Sequence, residues 1–264
     1  MKITIIGGDV RLKILKTSLE SNGYSVDTIG LFEGEKGDIK TSDAIILPVP
    51  TTKDGKTVFA PITNEKIYLS DIEDAVNENQ LIFSCNYTLK GKECIDYGAV
   101  DSYALLNAVP TAEGAIKIAI ENTDFTLFKS KILVIGYGRV GKVLAHRLKS
   151  LGAFVTVSAR KSSDFALIDS LGFDYINTQS LKDSPLDYDI VFNTVDFNVL
   201  PDSLFKNSQC SLIIDLSSKG GFNIEAARKN GIIALNAPGL PGKTAPKTAA
   251  DILFKTITEI LDKR

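Results

Sequence analysis

Residues 131–150 read KILVIGYGRVGKVLAHRLKS and determine how the second half of the chain folds. Their first part, Ile132–Ile135, is a short apolar run that predicts a buried β-strand, and from residue 143 onward apolar residues recur at the spacing of an amphipathic helix. Three glycines in the pattern G-x-G-x-x-G separate the two: Gly136, Gly138 and Gly141. A strand, a glycine turn of this pattern and a helix, in this order, predict a Rossmann-type dinucleotide-binding domain.

Each glycine of this turn has its own task in such a domain. We expect Gly136 to allow the tight turn, Gly138 to leave room for a pyrophosphate, and Gly141 to let the helix approach the strand. Arg139 and Val140 complete the start of the helix, where free backbone N–H groups and the helix dipole favour phosphate. The alternative, a strand–turn–helix with purely structural glycines, stays open.

The turn after the next strand indicates which dinucleotide binds. NAD sites usually carry Asp or Glu about 20 residues beyond the first glycine, where the acid binds the ribose 2′-hydroxyl. Here the turn reads SARK at residues 158–161, and the first acid is Asp164. A hydroxyl and two cations attract a 2′-phosphate that a carboxylate would repel. The sequence therefore predicts NADP, with Ser158, Arg160 and Lys161 as ligands, although a solvated basic turn would look the same.

Polar residues also follow two further apolar strands of this domain. In open parallel sheets, ligands bind beyond the carboxyl ends of the strands. We therefore expect the residues that end the strands at 190–193 and 212–216 to border the ribose and nicotinamide, although an ordinary turn role is an equally good interpretation. These residues are Asn193, Thr194, Val195, Asp215, Leu216 and Ser217.

The first half of the chain also alternates strand-like runs with helical patterns, which is the signature of βαβ units. Strands are expected at 3–6, 25–29, 44–47, 81–84 and 99–100. We predict an α/β protein of two Rossmann-like domains with mostly parallel sheets. Its parts are an N-terminal substrate domain over 1–110, an inter-domain helix over 111–126 that opens at Pro110, an NADP-binding domain over 127–244, and a C-terminal helix over 245–264 that packs back toward the first domain.

Composition and charge exclude several classes of protein. The 264 residues are 44% hydrophobic with a formal net charge of −2, which argues against a general attraction to nucleic acid. No apolar run approaches the roughly 20 residues that a membrane helix needs. The chain start is typical of a β-strand and not of a signal peptide. We therefore expect a cytoplasmic protein with no nucleic-acid and no membrane partner.

The cysteines and the single histidine form no recognisable catalytic or metal-binding pattern. Cys85, Cys94 and Cys210 match no metal knuckle and no C-x-x-C pair, so we expect reduced structural thiols and no metal site. His146 falls in the helix behind the glycine turn, which favours a structural role over acid–base catalysis.

Four charged residues are candidates to position an anionic substrate. Asp9 and Arg11 follow the first strand, where Arg11 could grip a carboxylate as a two-pronged donor, although a helix start capped by Asp9 explains the same residues. Glu113, near the predicted start of the linking helix, either faces the site or favours the helix dipole. Lys243 lies in the segment Ala237–Pro246, whose prolines and glycines predict a defined loop without regular structure.

Motifs that run in order along essentially the whole chain point to a family. The most specific is PGLPGKTAP at 238–246. The others are GGDVR at 7–11, LPVP at 47–50, PTAEGA at 110–115, the glycine turn, SAR at 158–160 and DLSS at 215–218. In these residues the chain resembles the dipicolinate synthase family of endospore-forming bacteria, specifically its A subunit. More distantly it is similar to D-2-hydroxyacid and alanine dehydrogenases, but Pro238 and Gly239 stand where the former carry a catalytic histidine.

The resemblance implies an NADP-dependent oxidoreductase that oxidises dihydrodipicolinate to dipicolinate (pyridine-2,6-dicarboxylate) during sporulation, on a branch of lysine biosynthesis in the mother-cell cytoplasm. It also implies a partner, the flavoprotein-like B subunit of the same synthase, and it leaves a homo-oligomer open. Aromatisation supplies much of the driving force, so the protein mainly has to position the small dicarboxylate, for which Arg11 and Lys243 are the candidate cations. Two alternatives remain: an NADP-dependent 2-hydroxyacid or amino-acid dehydrogenase, and a nucleotide-binding subunit that is inactive without its partner.

Overall fold

The computed structural model describes residues 1–33, 35, 37–206 and 208–263, and the chain divides into two compact units. One unit consists of Met1–Asn107 with Pro241–Arg264, and the other of Ala108–Leu240. This division does not test the domain bounds that the sequence predicts, which stay a prediction. Within the described ranges, no helix combines the length and the apolar character needed to cross a membrane.

The first unit is built on a parallel sheet. Its strands are β1 (Lys2–Ile6), β2 (Ser25–Ile29), β3 (Ala44–Ile46), β4 (Leu81–Ser84) and β5 (Ile95–Asp96). They pair in the order β2-β1-β3-β4-β5, which is the doubly wound, flavodoxin-like order. The strand predicted at 99–100 is wrong. Tyr97–Ala99 form a 3-10 turn there, because the side chain of Asp96 caps it by accepting a hydrogen bond from the N–H of Gly98 at 2.9 Å.

The second unit is built on a larger parallel sheet. Its strands are β6 (Lys131–Ile135), β7 (Phe154–Ala159), β8 (Asp174–Asn177), β9 (Ile190–Asn193), β10 (Leu212–Asp215) and β11 (Ile233–Asn236). Their order, β11-β10-β9-β6-β7-β8, is the Rossmann order of two mononucleotide-binding halves. Alternate residues of β6 enter different cores, Val134 on one face and Leu133 and Ile135 on the other. Burial on both faces explains why this strand is an uninterrupted apolar run.

Helices cover these sheets. They are α1 (Val10–Ser21), α2 (Leu69–Ala75), α3 (Asp101–Glu121), α4 (Arg139–Ser150), α5 (Ser162–Ser170), α6 (Ile224–Lys229), α7 (Leu240–Thr244) and α8 (Pro246–Leu261). In the first unit, α1 and α8 share one core, where Leu12, Leu15 and Leu19 cluster with Leu253 and Ile257. Burying each such side chain contributes about 1.5–3 kcal/mol. The predicted return of the C-terminal helix to the first domain is therefore confirmed, as are the two Rossmann-like parallel sheets.

Two local predictions about prolines are wrong. Helix α3 begins at Asp101, and Pro110 lies in its interior, because an interior proline removes a backbone hydrogen bond but need not end a helix that packing supports. The segment 237–246, predicted to be an irregular loop, contains the short helix α7. Pro241 stands in its first turn, where a missing N–H costs no intrahelical hydrogen bond.

Candidate functional site

The glycine turn has the geometry that its pattern predicts. Gly136 adopts a positive φ of 99°, and a Cβ added to it would lie 2.6 Å from Thr194 Oγ1. A Cβ on Gly141 would collide with the carbonyl oxygen of Gly136. Both positions therefore need glycine for the close approach of α4 to the β6 turn.

Gly138 differs from the other two glycines because space is open beside it. A Cβ added there would meet no atom of the described residues within 4 Å, and its φ of −80° is one that any residue adopts. Gly138 is the N-cap residue of α4 and, as a glycine, has no side chain of its own to cap the helix. The turn thus offers open space in front of helix N–H groups, which fits a pyrophosphate.

Ser158 supports this turn from below. Its side chain is fully buried, and its hydroxyl lies 3.3 Å from the N–H of Gly136 and 3.0 Å from Thr178 Oγ1. The hydroxyl therefore points into the protein. This differs from the predicted role of Ser158 as a direct phosphate ligand, because the network that holds the turn already uses the hydroxyl.

Arg160 and Lys161 remain at the surface of the turn after β7. The guanidinium carbon of Arg160 lies 5.2 Å from the ring centroid of Phe197, in the loop that follows β9. Lys161 precedes α5 as its N-cap residue and makes no side-chain cap. Two exposed cations therefore stand at the site where the sequence predicts a 2′-phosphate.

The end of β9 and the end of β10 are joined by buried hydrogen bonds. The amide nitrogen of Asn193 donates to Asp215 Oδ1 at 2.8 Å and to the carbonyl of Val195 at 2.9 Å. Asp215 also accepts from the N–H of Ser217 at 3.0 Å and of Gly221 at 2.7 Å. Because Asn193 and Asp215 are fully buried, they shape the two loops instead of facing a ligand.

Of the other residues predicted to contact the cofactor in these loops, some hold the loops by hydrogen bonds and some keep exposed surface. The Thr194 hydroxyl donates to the carbonyl of Ile135 at 2.8 Å, beside the glycine turn. Ser217 is buried, and its hydroxyl accepts from the N–H of Gly220 at 3.1 Å. Val195 and Leu216 stay half-buried at the carboxyl ends of their strands. Of the six residues, these last two offer apolar side-chain surface at this edge of the sheet.

In the first unit, the buried Arg11 forms an ion pair with the partly buried Asp9 at the start of α1. Arg11 Nη2 lies 2.8 Å from Asp9 Oδ2, and Arg11 Nε lies 2.9 Å from Asp9 Oδ1. Nη2 also donates to the carbonyl of Val49 at 2.5 Å. Burial opposes the charge of Arg11, but the hydrogen bond and the charge of Asp9 outweigh it and raise the pKa of Arg11. Asp9 also caps α1 through the N–H of Arg11, as the sequence predicts.

Neutral side chains that the sequence did not single out surround this pair. The Tyr97 hydroxyl donates to the carbonyl of Leu47 at 2.9 Å, and the Tyr97 ring meets the Tyr103 ring edge-on with centroids 5.6 Å apart. Burial raises the pKa of both tyrosines and raises that of Cys85 to about 12, so all three stay protonated at neutral pH. No spacing pattern marks them, because they approach Arg11 from distant parts of the chain.

Helix α7 brings Lys243 toward this pair. A Cβ added to Gly242 would lie 2.7 Å from Arg11 Nε and 2.9 Å from Asp9 Oδ2, so α7 rests directly on the ion pair. Lys243 follows on the same helix and is exposed. The first unit thus places three of the four predicted substrate residues in one neighbourhood, with Lys243 the accessible cation.

Glu113 belongs to a different environment. It lies in the interior of α3, far from the start of the helix. The alternative prediction, that Glu113 interacts favourably with the helix dipole, is therefore wrong. Its carboxylate pairs with Arg147 of α4 at 3.1 Å, and both side chains are well exposed. This is a surface ion pair within the second unit.

Comparisons with known proteins agree with this architecture. Residues 2–106 match the family model that describes the N-terminal domain of the dipicolinate synthase A subunit. The crystal structure of the A subunit of dipicolinate synthase from Bacillus halodurans superposes with a TM-score of 0.89 and 31% identity, over 98% of this chain and 97% of that one. D-lactate dehydrogenase from Escherichia coli shares the fold, with a TM-score of 0.63 at 18% identity over 100% of this chain and 97% of that one.

A curated relative covers the whole length as well. The A subunit of dipicolinate synthase from Bacillus subtilis is 36% identical over 284 aligned positions, which include 99% of this chain and 96% of that protein. The chain belongs to the family of dipicolinate synthase A subunits.

Proposed function

We propose that this chain is an NADP-dependent oxidoreductase that converts dihydrodipicolinate to dipicolinate during sporulation, in the cytoplasm and together with a flavoprotein-like B subunit. The observation that carries the proposal is the open glycine turn of the second unit next to an exposed turn that holds Arg160 and Lys161 and no acid. Family membership supports the reaction and the partner.

The cofactor side of the proposal follows from charge and space. The open side of Gly138 and the start of α4 would receive the pyrophosphate, with Arg139 and Val140 supplying backbone at the helix start. Arg160 and Lys161 would bind the 2′-phosphate, since Arg offers paired hydrogen bonds to phosphate oxygens. Ser158 serves this site by holding Gly136 in place.

The substrate side of the proposal lies in the first unit. Lys243 would bind one carboxylate directly because it is exposed on α7. Arg11 would contribute through Nη1, the guanidinium nitrogen that takes no part in its bonds to Asp9 and Val49. Asp9 holds Arg11 and keeps its charge localised beside α7, so its role is to position Arg11.

The reaction is balanced by one hydride and one proton. When bound, NADP supplies a nicotinamide that accepts the hydride leaving a ring carbon, and the proton goes to water as the ring becomes aromatic. This chemistry asks the protein mainly for binding and orientation. A reaction of this kind does not need a histidine as acid or base. The one histidine of the sequence, His146, is exposed on α4 and meets the ring of Phe173 edge-on, which fits a structural role.

A binding experiment tests the cofactor assignment. NADP and NAD are titrated against the purified wild-type chain and against Arg160→Ala. We expect tighter binding of NADP than of NAD, and we expect Arg160→Ala to weaken NADP by about tenfold or more. Equal affinity of the wild type for both nucleotides would refute NADP as the cofactor.

An activity experiment tests the reaction and the partner. NADPH formation from dihydrodipicolinate is followed with the chain alone and after addition of the B subunit, with lactate-type and alanine substrates as comparison. We expect turnover of dihydrodipicolinate only, and Lys243→Ala should raise its KM while Lys247→Ala, a neighbouring exposed lysine, should not. Turnover of a hydroxy or amino acid instead would reassign the substrate, and no turnover under either condition would reject the reaction.

A further inference from the structure

A pocket of about 480 Å³ opens on the second unit at the carboxyl ends of β7, β8 and β9. Its lining comes from Arg160 after β7, from the 3-10 turn Thr178–Asp183 after β8, and from the loop after β9. The volume lies in the range of small-ligand sites, and the carboxyl ends of parallel strands are where such sites form. The last two of these segments lie outside both the glycine turn and the turn at 158–161, from which the sequence predicts cofactor binding.

Phe197 gives this pocket one wall. Its side chain is 42% exposed, although it is a large apolar residue, and the guanidinium of Arg160 lies over its ring. A cation over an aromatic face is attracted by the ring quadrupole, and a guanidinium held in this way keeps N–H donors that a phosphate can use. Phe197 therefore restricts the positions that the Arg160 side chain can take.

Lys182 gives the pocket a second cation. It lies in the last turn of the 3-10 segment and lines the same space as Arg160. The other polar side chains of the lining, Thr178, Gln179 and Asn198, are uncharged. Among nearby acids, Asp196 accepts hydrogen bonds from the N–H groups of Ser218 and Lys219, and Asp183 lies next to Lys182 in the chain.

We propose that Lys182 binds the 2′-phosphate of NADP together with Arg160, and that Phe197 is a positioning residue that orients Arg160 toward the same phosphate. The inference deepens the proposed function and rests on it. It adds two specificity-determining residues that lie outside the turn usually read for cofactor choice. Two cations on separate segments would match the double charge of a phosphate monoester, which is roughly −1.5 to −2 at neutral pH.

The test uses two probes that differ only in the 2′-phosphate, namely 2′,5′-ADP and 5′-AMP, so that it needs neither turnover nor the partner protein. Dissociation constants are measured by calorimetry for the wild type, Lys182→Gln, Phe197→Leu and Phe197→Tyr. Lys229→Gln, an exposed lysine of α6 outside the pocket, is the matched control.

We expect Lys182→Gln to weaken 2′,5′-ADP by about tenfold and to leave 5′-AMP unchanged. Phe197→Leu should weaken 2′,5′-ADP several-fold, and Phe197→Tyr should retain wild-type affinity because its ring can still face Arg160. Unchanged 2′,5′-ADP binding in Lys182→Gln, or equal losses for both probes, would overturn the role of Lys182.

Arg160→Ala separates this inference from the proposed function. If Arg160→Ala loses 2′,5′-ADP selectivity and Lys182→Gln does not, the further inference fails and the NADP assignment stands. If the wild type itself binds 2′,5′-ADP no better than 5′-AMP, the NADP assignment fails and the further inference fails with it.

Discussion

The amide of Asn193 donates a hydrogen bond of 2.8 Å to the fully buried carboxylate of Asp215, and this bond ties the end of β9 to the end of β10. Asp215 accepts two more hydrogen bonds, from the N–H groups of Ser217 and Gly221. A carboxylate is acceptor-only and suits three donors at once. The pair therefore fixes both loops at the carboxyl edge of the Rossmann sheet.

Asp215→Asn should destabilise the second unit. The amide that replaces the carboxylate carries one oxygen and one NH₂ group, so at least one of the three donors would face another donor. We expect the free energy of unfolding to fall by about 2–3 kcal/mol, measured by urea unfolding. Asp169→Asn, an exposed acid of α5, serves as control and should change stability little. A stable Asp215→Asn would mean that the loops do not depend on this carboxylate.

Gly138→Ala and Gly141→Ala should separate binding from folding. In the part of the chain that the structure describes, no atom lies within 4 Å of a Cβ at Gly138, so this variant should fold with wild-type stability. It should lose nucleotide affinity by about tenfold or more, because the methyl group would occupy the space of the pyrophosphate. A Cβ at Gly141 collides with the backbone of Gly136, so that variant should be strongly destabilised. Thermal unfolding and NADP titration measure the two effects. Full NADP affinity in Gly138→Ala would contradict a pyrophosphate at this turn.

Some elements of this fold can be predicted from local sequence patterns alone. The strand, turn and helix at 131–150 follow from local periodicity, and the structure places α4 over Arg139–Ser150 as predicted. The C-terminal helix likewise follows from its apolar stripe and a proline in its first turn. Such patterns depend on neighbours in the sequence, so one chain is enough to read them.

The burial of Ser158, Asn193 and Asp215 could not be read in this way. Whether a polar residue at a strand end faces a ligand or the protein depends on partners in another strand, such as Asp215 for Asn193. The prediction that a helix opens at Pro110 failed for a related reason: packing of α3 keeps the helix continuous on both sides of this proline. Phe197 and Lys182 escaped notice because a lone aromatic and a lone lysine in loops have no characteristic spacing.

Glu113→Gln should leave the enzyme almost unchanged. Both side chains of the Glu113–Arg147 ion pair are exposed, and such pairs contribute about 0–1 kcal/mol to the free energy of unfolding. We expect the melting temperature and the KM for substrate to remain near wild-type values, with any loss of stability decreasing as salt is added. A large rise in KM without a change in stability would instead assign Glu113 to substrate binding.

Arg11→Ala should destabilise the first unit. It would leave the part-buried Asp9 carboxylate and Val49 carbonyl without their partner, which costs about 2–3 kcal/mol, less than the loss of one partner from a fully buried ion pair. Arg11→Lys keeps the charge but loses the paired geometry, so we expect an intermediate loss. Urea unfolding of both variants checks the order. Wild-type stability in Arg11→Ala would show that the pair does not hold α1 to the Val49 segment.

Thiol reagents should react slowly with the native protein. Burial raises the pKa of Cys85 and Cys210 to about 12 and also raises that of Cys94, so at pH 8 none of the three is substantially thiolate. Because Cys94 is only half-buried, it should react first, and Cys94→Ser should remove that first phase. In denaturant all three thiols should react at the rate of free cysteine. Rapid native labelling of Cys85 or Cys210 would contradict the burial of these two side chains.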